Sequence, residues 1–321
     1  MRGLLVSLTV LVLGLVSSAS AEGLTVRTTT RMLADPLGYL FAGQAEVTAL
    51  LGAGTDPHTY QPTRKDVRQL AEADGIAYHG LLFEAQLLGL MQQLERRKPV
   101  FAGADFQPAK ALLFVEGYED PHTWHDPIFW TETVIDMAKA MAEDLALDLP
   151  NDRVALLREA AMMTDAWISQ SFAPVPPEQR IIVSAHDAFS YYGQRYGLTM
   201  EPLLGLSTAS ETKLTRVNEL VQLIAEQEIS AVFSETSVES AGIAALREGA
   251  AQRGVDLRSL PPLFSDALGP QGGPGSTYFS MLIENTINMV DAISGRRPEL
   301  PSELKMLLAS QGLLEEAGMS Q

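Results

Sequence analysis

Five histidines occur in the 321-residue chain: His58, His79, His122, His125 and His186. Two of them, His58 and His122, sit in a repeated phrase, Asp-Pro-His-Thr, at 56–59 and again at 120–123, with an aromatic after each copy (Tyr60, Trp124). His186 stands in SAHDAF, and a fourth polar residue of interest, Asp266, in FSDALG. Imidazoles with a carboxylate suit zinc and neighbouring divalent ions, and three His with one Asp make a chemically complete donor set. The gaps between the four are 64, 64 and 80 residues. No helical His-x-x-x-His pair or other local rule supports the cluster, so spacing alone leaves a metal site and unrelated structural roles both open.

Other chemistries are poorly provided for. Cysteine is absent, which removes a disulfide scaffold, a thiolate metal site, a cysteine nucleophile and a lipoprotein cysteine. Ser184, Ser207 and Ser265 lie in no GxSxG phrase, and H-E-x-x-H does not occur. Gly269, Gly272, Gly273 and Gly275 resemble a phosphate loop in content, but no GK[ST] follows. The net charge of −17 disfavours nucleic acid and anionic membrane as partners.

The elements that must position these residues alternate between short β-rich runs and helical patterns. Strands are expected at Leu24–Thr30, Glu46–Leu51, Ile76–Tyr78 and Pro99–Ala102, with helices at Leu37–Ala42, Lys65–Ala73 and Glu84–Arg97 between them. The second half repeats the pattern. Strands are expected at Arg180–Ser184, Thr199–Leu204, Ile229–Phe233 and Val255–Leu260, and helices at Ala188–Tyr196, Lys213–Gln227, Ala241–Arg253 and Thr277–Ile293. Such alternation means parallel sheets built of βα units. Between the halves Thr131–Leu147 and Asp152–Phe172 are periodic, the second reading as a stiff connecting helix. The residues from Pro301 onward are polar and expected to be peripheral.

The fold class is thus α/β, with two lobes, each a parallel sheet flanked by helices, joined by one long connecting helix. The expected divisions are 1–21 leader, 22–150 N-terminal lobe, 151–173 connecting helix and 174–321 C-terminal lobe. The leader reading rests on Arg2, the apolar run Leu4–Val16 and the small residues Ala19-Ser20-Ala21, a secretory signal with cleavage after Ala21. It implies an exported protein without a lipid anchor, in the periplasm. In this layout His58, His122, His186 and Asp266 each follow the carboxyl end of a strand, where open parallel sheets bind ligands. Two come from each half, so a site using all four would lie between the lobes.

The phrases GTDPHTYQPT (54–63), DPHTWHDP (120–127), SAHDAFSYYGQRYGL (184–198) and FSDALGPQGGPGSTY (264–278) resemble, in order and position, the ligand segments of the zinc/manganese solute-binding proteins of metal ABC importers (cluster A-I). The resemblance covers essentially the whole chain after the leader. It implies one metal ion held between the lobes by His58, His122, His186 and Asp266, no catalysed reaction, and delivery by a monomer to an ABC permease with a cytoplasmic ATPase. Zinc is the expected ion and manganese the alternative. Manganese-selective members often carry Glu where this chain has His186, and imidazole in place of carboxylate favours zinc. The segment 105–120 lacks the long His-rich loop of many zinc receptors. The competing functions are a secreted zinc metallohydrolase, which four protein ligands disfavour by closing the shell, and a receptor for a larger metal chelate.

Neighbouring residues carry plainer expectations. His125 is expected at the surface or behind the ligands, His79 as a satisfied structural histidine, and Trp124 and Tyr60 as packing in the cleft walls. Asp56, Asp120, Asp187 and Glu235 are carboxylates that could orient ligand imidazoles or cap turns.

Overall fold

The computed structural model describes residues 23–238 and 241–314; the expected leader, Met1–Ala21, lies outside them. The first half forms β1 (Leu24–Thr28), α1 (Arg31–Leu40), β2 (Ala45–Ala49), α2 (Arg64–Glu72), β3 (Gly75–Tyr78), α3 (Leu88–Glu95) and β4 (Val100–Ala102). Its four strands make one parallel sheet in the order β2-β1-β3-β4. A short antiparallel hairpin that the sequence reading did not anticipate follows, β5 (Phe114–Val115) and β6 (Tyr118–Glu119). Then come α4 (Pro127–Asp144) and the 22-residue α5 (Asn151–Phe172).

The second half contains β7 (Ile181–Ser184), α6 (Ser190–Tyr196), β8 (Thr199–Pro202), α7 (Leu214–Glu226), α8 (Ala241–Gln252), α9 (Tyr278–Ser294) and α10 (Ser302–Ser310). β7 and β8 pair in parallel. The expected strands Ile229–Phe233 and Val255–Leu260 are reduced to the isolated parallel bridge Ala231–Arg258, with Glu235–Leu263 beyond. A side chain explains the loss: the Arg247 guanidinium donates to the carbonyls of Val232, Leu257 and Arg258 at 3.2–3.3 Å. It occupies acceptors that a neighbouring strand would have used. Phe233 still donates to Val183 O at 2.9 Å, which keeps the segment on β7.

Local chemistry sets the ends of the elements around the site. Asp126 accepts from the Ile128 and Phe129 N–H groups at 3.0 and 2.9 Å, with Pro127 at the first position of α4. That is a strong N-cap at the point where the second Asp-Pro-His-Thr phrase must turn into a helix. Thr63 and Asp66 form a reciprocal capping box at α2, directly after the first phrase.

The largest apolar core runs through the molecule, from Val26 and Ala77 through Trp130, Leu157 and Ile168 to Phe233, Phe279 and Leu308. α5 packs on α1 and α4 on one side and on α6, α9 and α10 on the other. The C-terminal segment is not peripheral, because Leu304, Leu308, Leu313 and Leu314 are buried in this core. Apolar leucines spaced along α10 outweigh the polar average of the segment.

Candidate metal centre

Both copies of Asp-Pro-His-Thr make the same turn. Asp56 Oδ1 accepts from His58 N–H, and Asp120 Oδ1 from His122 N–H, each at 2.9 Å. An aspartate bonded to the N–H two residues on is an Asx turn, and here it aims a histidine into the interior each time. The copies then diverge. In the second, Asp120 Oδ1 also takes the His122 ring through Nδ1 at 2.7 Å. In the first, Asp56 Oδ2 takes the hydroxyls of Thr59 at 2.8 Å and of Thr208, from the other half of the chain, at 2.6 Å.

From the second half, β7 delivers His186. Glu235 Oε1 accepts from the N–H groups of Ala185 and His186 at 2.8 and 3.0 Å, and its Oε2 bonds His186 Nδ1. Asp266 enters on the loop after Leu263. Trp124 Nε1 donates to Ser265 O at 2.8 Å, and Asn285 brackets Phe264 through both its N–H and its carbonyl. Beyond Asp266 the glycine loop closes through Gly269 N–H to Gly275 O at 2.7 Å. A Cβ on Gly269 would lie 2.0 Å from Pro274 O, so the glycine there serves a tight turn, not a phosphate.

These segments bring His58, His122, His186 and Asp266 together, one donor atom from each lying within 4.8 Å of all the others. Nε2 of His186 and of His58 stand 3.1 and 3.7 Å from Asp266 Oδ2, and His122 Nε2 3.6 Å from Oδ1. All four side chains are buried. The three Nε2 atoms and both Asp266 oxygens have no hydrogen-bond partner. Buried polar atoms without partners are costly, and five converging on one point are what a cation would satisfy. Two ligands bound tetrahedrally to zinc at about 2.0–2.1 Å lie about 3.3 Å apart, and the observed separations straddle that value.

Burial pushes the His58 imidazole down to about 3, against the pull of Asp266. His186 goes the other way. Burial would lower it, but the Asp266 and Glu235 carboxylates hold it well above its ordinary value. Asp266 is held below the usual carboxylate range, because His186, His58 and His122 together outweigh the effect of burial.

The remaining histidines are buried too. His79 stacks on Trp130 with centroids 5.0 Å apart, and its Nε2 meets the Thr30 hydroxyl at 2.7 Å, while its Nδ1 has no hydrogen-bond partner, so the histidine expected to be satisfied is so at one nitrogen. His125 is not at the surface: it is fully buried, 4.5 Å from the Phe189 ring, with neither ring nitrogen hydrogen-bonded to a side chain. Its place at the end of a 3₁₀ turn, Thr123–His125, swings it inward. Trp124 packs against His79, Phe83 and His122 as wall. Tyr60 bonds Asp66 at 2.6 Å. Asp187 caps Ser190 at 2.6 Å and does not hold a ligand ring. Sequence reasoning missed Phe83, whose ring meets His58 edge-on at 4.9 Å, and Thr208; neither stands beside a recognisable phrase.

A model of the family described as "Zinc-uptake complex component A periplasmic" (ZnuA) matches residues 26–292. The zinc-binding protein TroA of Treponema pallidum is 34% identical over 284 residues, covering 86% of this chain and 91% of its own. The manganese-binding lipoprotein MntA of Bacillus subtilis is 34% identical over 278 residues, covering 85% and 90%. Among solved structures, the periplasmic zinc-binding protein TroA from Treponema pallidum aligns with a TM-score of 0.79 at 31% identity, over 84% of this chain and 99% of that one. Fe(III)-bound YtgA from Chlamydia trachomatis, at 23% identity, shares the fold with a TM-score of 0.75 over 86% and 100%.

Proposed function

The chain belongs to the periplasmic zinc-uptake component A family, and on that premise we propose that it captures one divalent transition metal ion and delivers it to an ABC permease. We assign His58, His122, His186 and Asp266 as the ligands. The observation that carries this is the convergence of three Nε2 atoms and a carboxylate, all buried and lacking hydrogen-bond partners. The ion is cargo, and no reaction is catalysed on it. Four protein donors close a tetrahedral shell and leave no open position of the kind a hydrolytic zinc needs.

Zinc is the preferred cargo, with manganese second. Three imidazoles and one carboxylate are a softer, less oxygen-rich set than manganese favours. The relatives divide the same way, TroA being named zinc-binding and MntA manganese-binding. Carboxylates behind His122 and His186 support ligand roles for both, since metal-bound imidazoles usually donate their other N–H to such a partner. We read 22–150 and 174–321 as lobes and 151–173 as the stiff link between them, which keeps any opening motion small. The receptor acts as a monomer in the periplasm. Several relatives are named lipoproteins, whereas this chain has no cysteine.

Native mass spectrometry of metal-free protein offered Zn²⁺ and Mn²⁺ together tests this reading. One zinc per chain is expected, and none after Asp266→Ala combined with His186→Ala. Exclusive manganese uptake would overturn the choice of cargo, and no metal at all would overturn the site.

A further inference from the structure

A cavity of about 570 Å³ opens beside the metal centre. Its walls are the loop Leu81, Leu82 and Ala85, the β5–β6 hairpin from Phe114 to Glu119, and Gly205, Leu206, Ser207 and Ser210 of the other half. Of the four convergent side chains, His58 is the one that lines it. His58 is 5% exposed, against 0% for His122 and His186 and 1% for Asp266.

His58 is also held differently. The rings of His122 and His186 are tied through Nδ1 to Asp120 and Glu235. The tie on His58 is at its backbone, where Asp56 Oδ1 accepts its N–H. The other oxygen of that carboxylate, Oδ2, accepts the Thr59 hydroxyl at 2.8 Å and, at 2.6 Å, the hydroxyl of Thr208, from the same loop as the lining residues Ser207 and Ser210. The base of the Thr208 loop is in turn joined to the His186 segment, by Asp187 N–H to Gly205 O at 3.3 Å. One carboxylate therefore fixes the His58 turn and ties it to the other half of the chain at the same time. Away from the mouth the halves are joined by contacts set deeper in the fold: Arg31 to Gly269 O, Trp124 to Ser265 O and Tyr191 to Asp120 O.

Resting on the metal-capture function above, we propose that the ion enters and leaves through this cavity past His58, and that the Asp56–Thr208 hydrogen bond is the latch that sets the exchange rate. With the latch made, Asp56 cannot turn and the imidazole stays over the ion. With it broken, Asp56 keeps its bonds to His58 N–H and Thr59 within the turn, and the turn as a unit can swing His58 into the cavity while the carboxylate-braced His122 and His186 stay in place. Thr208 is thus a positioning residue, acting through Asp56 on the ligand nearest solvent.

The test is stopped-flow transfer of zinc from the loaded full-length protein to excess fluorescent chelator. Thr208→Val keeps the side-chain shape and removes the hydroxyl. It should speed zinc loss about tenfold, the scale of one hydrogen bond to an ionised carboxylate. Thr208→Ser should restore the wild-type rate, which a loss of methyl packing would not explain. Ala85→Trp, at an exposed position on the cavity wall, should slow association and dissociation together with the affinity unchanged. A Thr208→Val rate within twofold of wild type overturns the latch, and unaltered rates in Ala85→Trp overturn the route. Wild-type protein that retains no zinc would instead remove the capture function itself.

Discussion

Replacing Glu235 by glutamine separates the charge and acceptor role of this carboxylate from its shape. In the wild type, Oε1 accepts two main-chain N–H groups, from Ala185 and His186, while Oε2 faces His186 Nδ1. A glutamine oxygen keeps both main-chain bonds, so the turn after β7 survives. Its NH₂ then points at Nδ1 and can only donate. Neutral His186 must therefore carry its proton on Nε2, the atom 3.1 Å from Asp266 Oδ2 and aimed at the ion. A metal could bind only after that proton is removed or the amide is turned over, which would orphan the main-chain donors at about 1–3 kcal/mol each. Loss of the acceptor behind a ligand imidazole typically costs 10–100-fold in metal affinity, about 1.4–2.7 kcal/mol. Glu235→Gln should fall in the upper part of that range, and the metal-free protein should also lose the stabilisation that Glu235 gives the protonated His186 ring. Zinc affinity by chelator competition, paired with thermal unfolding of the metal-free proteins, measures both. Affinity within twofold of wild type would refute the tautomer argument.

Three further outcomes follow from the same geometry. Asp120→Asn should cost less affinity than Glu235→Gln in the same competition assay, because a single oxygen of Asp120 takes both the N–H and the ring of His122, and an amide oxygen can do the same; equal losses would contradict this. Zinc affinity should rise with pH across the neutral range, by up to tenfold per unit. His186 in the metal-free fold titrates well above 6.5 and holds a proton that the ion must displace, whereas His58, lowered to about 3, is already neutral. That proton stabilises the metal-free fold fully below the unfolded value of 6.5, and its contribution is lost as pH rises through the raised folded value; a flat affinity profile from pH 6 to 8 would count against it. Leu308→Ala, deep in the main core, should cost about 2–5 kcal/mol in denaturant unfolding, and a loss under 1 kcal/mol would mean that α10 is not part of the core.

The residue types supplied the candidate donors, but their spacing did not single out a cluster; the phrases shared with the metal-receptor family did. The expected placement past parallel strands holds for His186, which directly follows β7, but His122 follows the antiparallel β6 and the strand expected before Asp266 is an isolated bridge. The first-half strands were legible because β-branched runs are short-range signals, whereas the first helix, expected at Leu37–Ala42, starts six residues earlier at Arg31. The connecting helix was legible too, as a long periodic stretch bounded by Pro150 and Pro174.

Where the expectations failed, a distant side chain had intervened. Two second-half strands dissolved because Arg247, on α8, took their carbonyls. The C-terminal segment joined the core because α5 offered its leucines a surface. Of the two places expected for His125, the surface is excluded, because a 3₁₀ turn between two prolines turns it inward towards Phe189.

The sequence by itself determined the chemistry available, three imidazoles and a carboxylate on loops that Asx turns and helix caps shape locally. It also determined the absence of any thiolate alternative. Only the tertiary structure decided that the four meet within 4.8 Å. It alone decided that Glu235 and Asp120 each hold a ring while Asp56 instead reaches Thr208 of the other half. Identical Asp-Pro-His-Thr phrases make identical turns, because the turn is closed by bonds two residues apart. What else each aspartate holds, the His122 ring on Asp120 Oδ1 or Thr208 on Asp56 Oδ2, depends on what the packed chain brings near it.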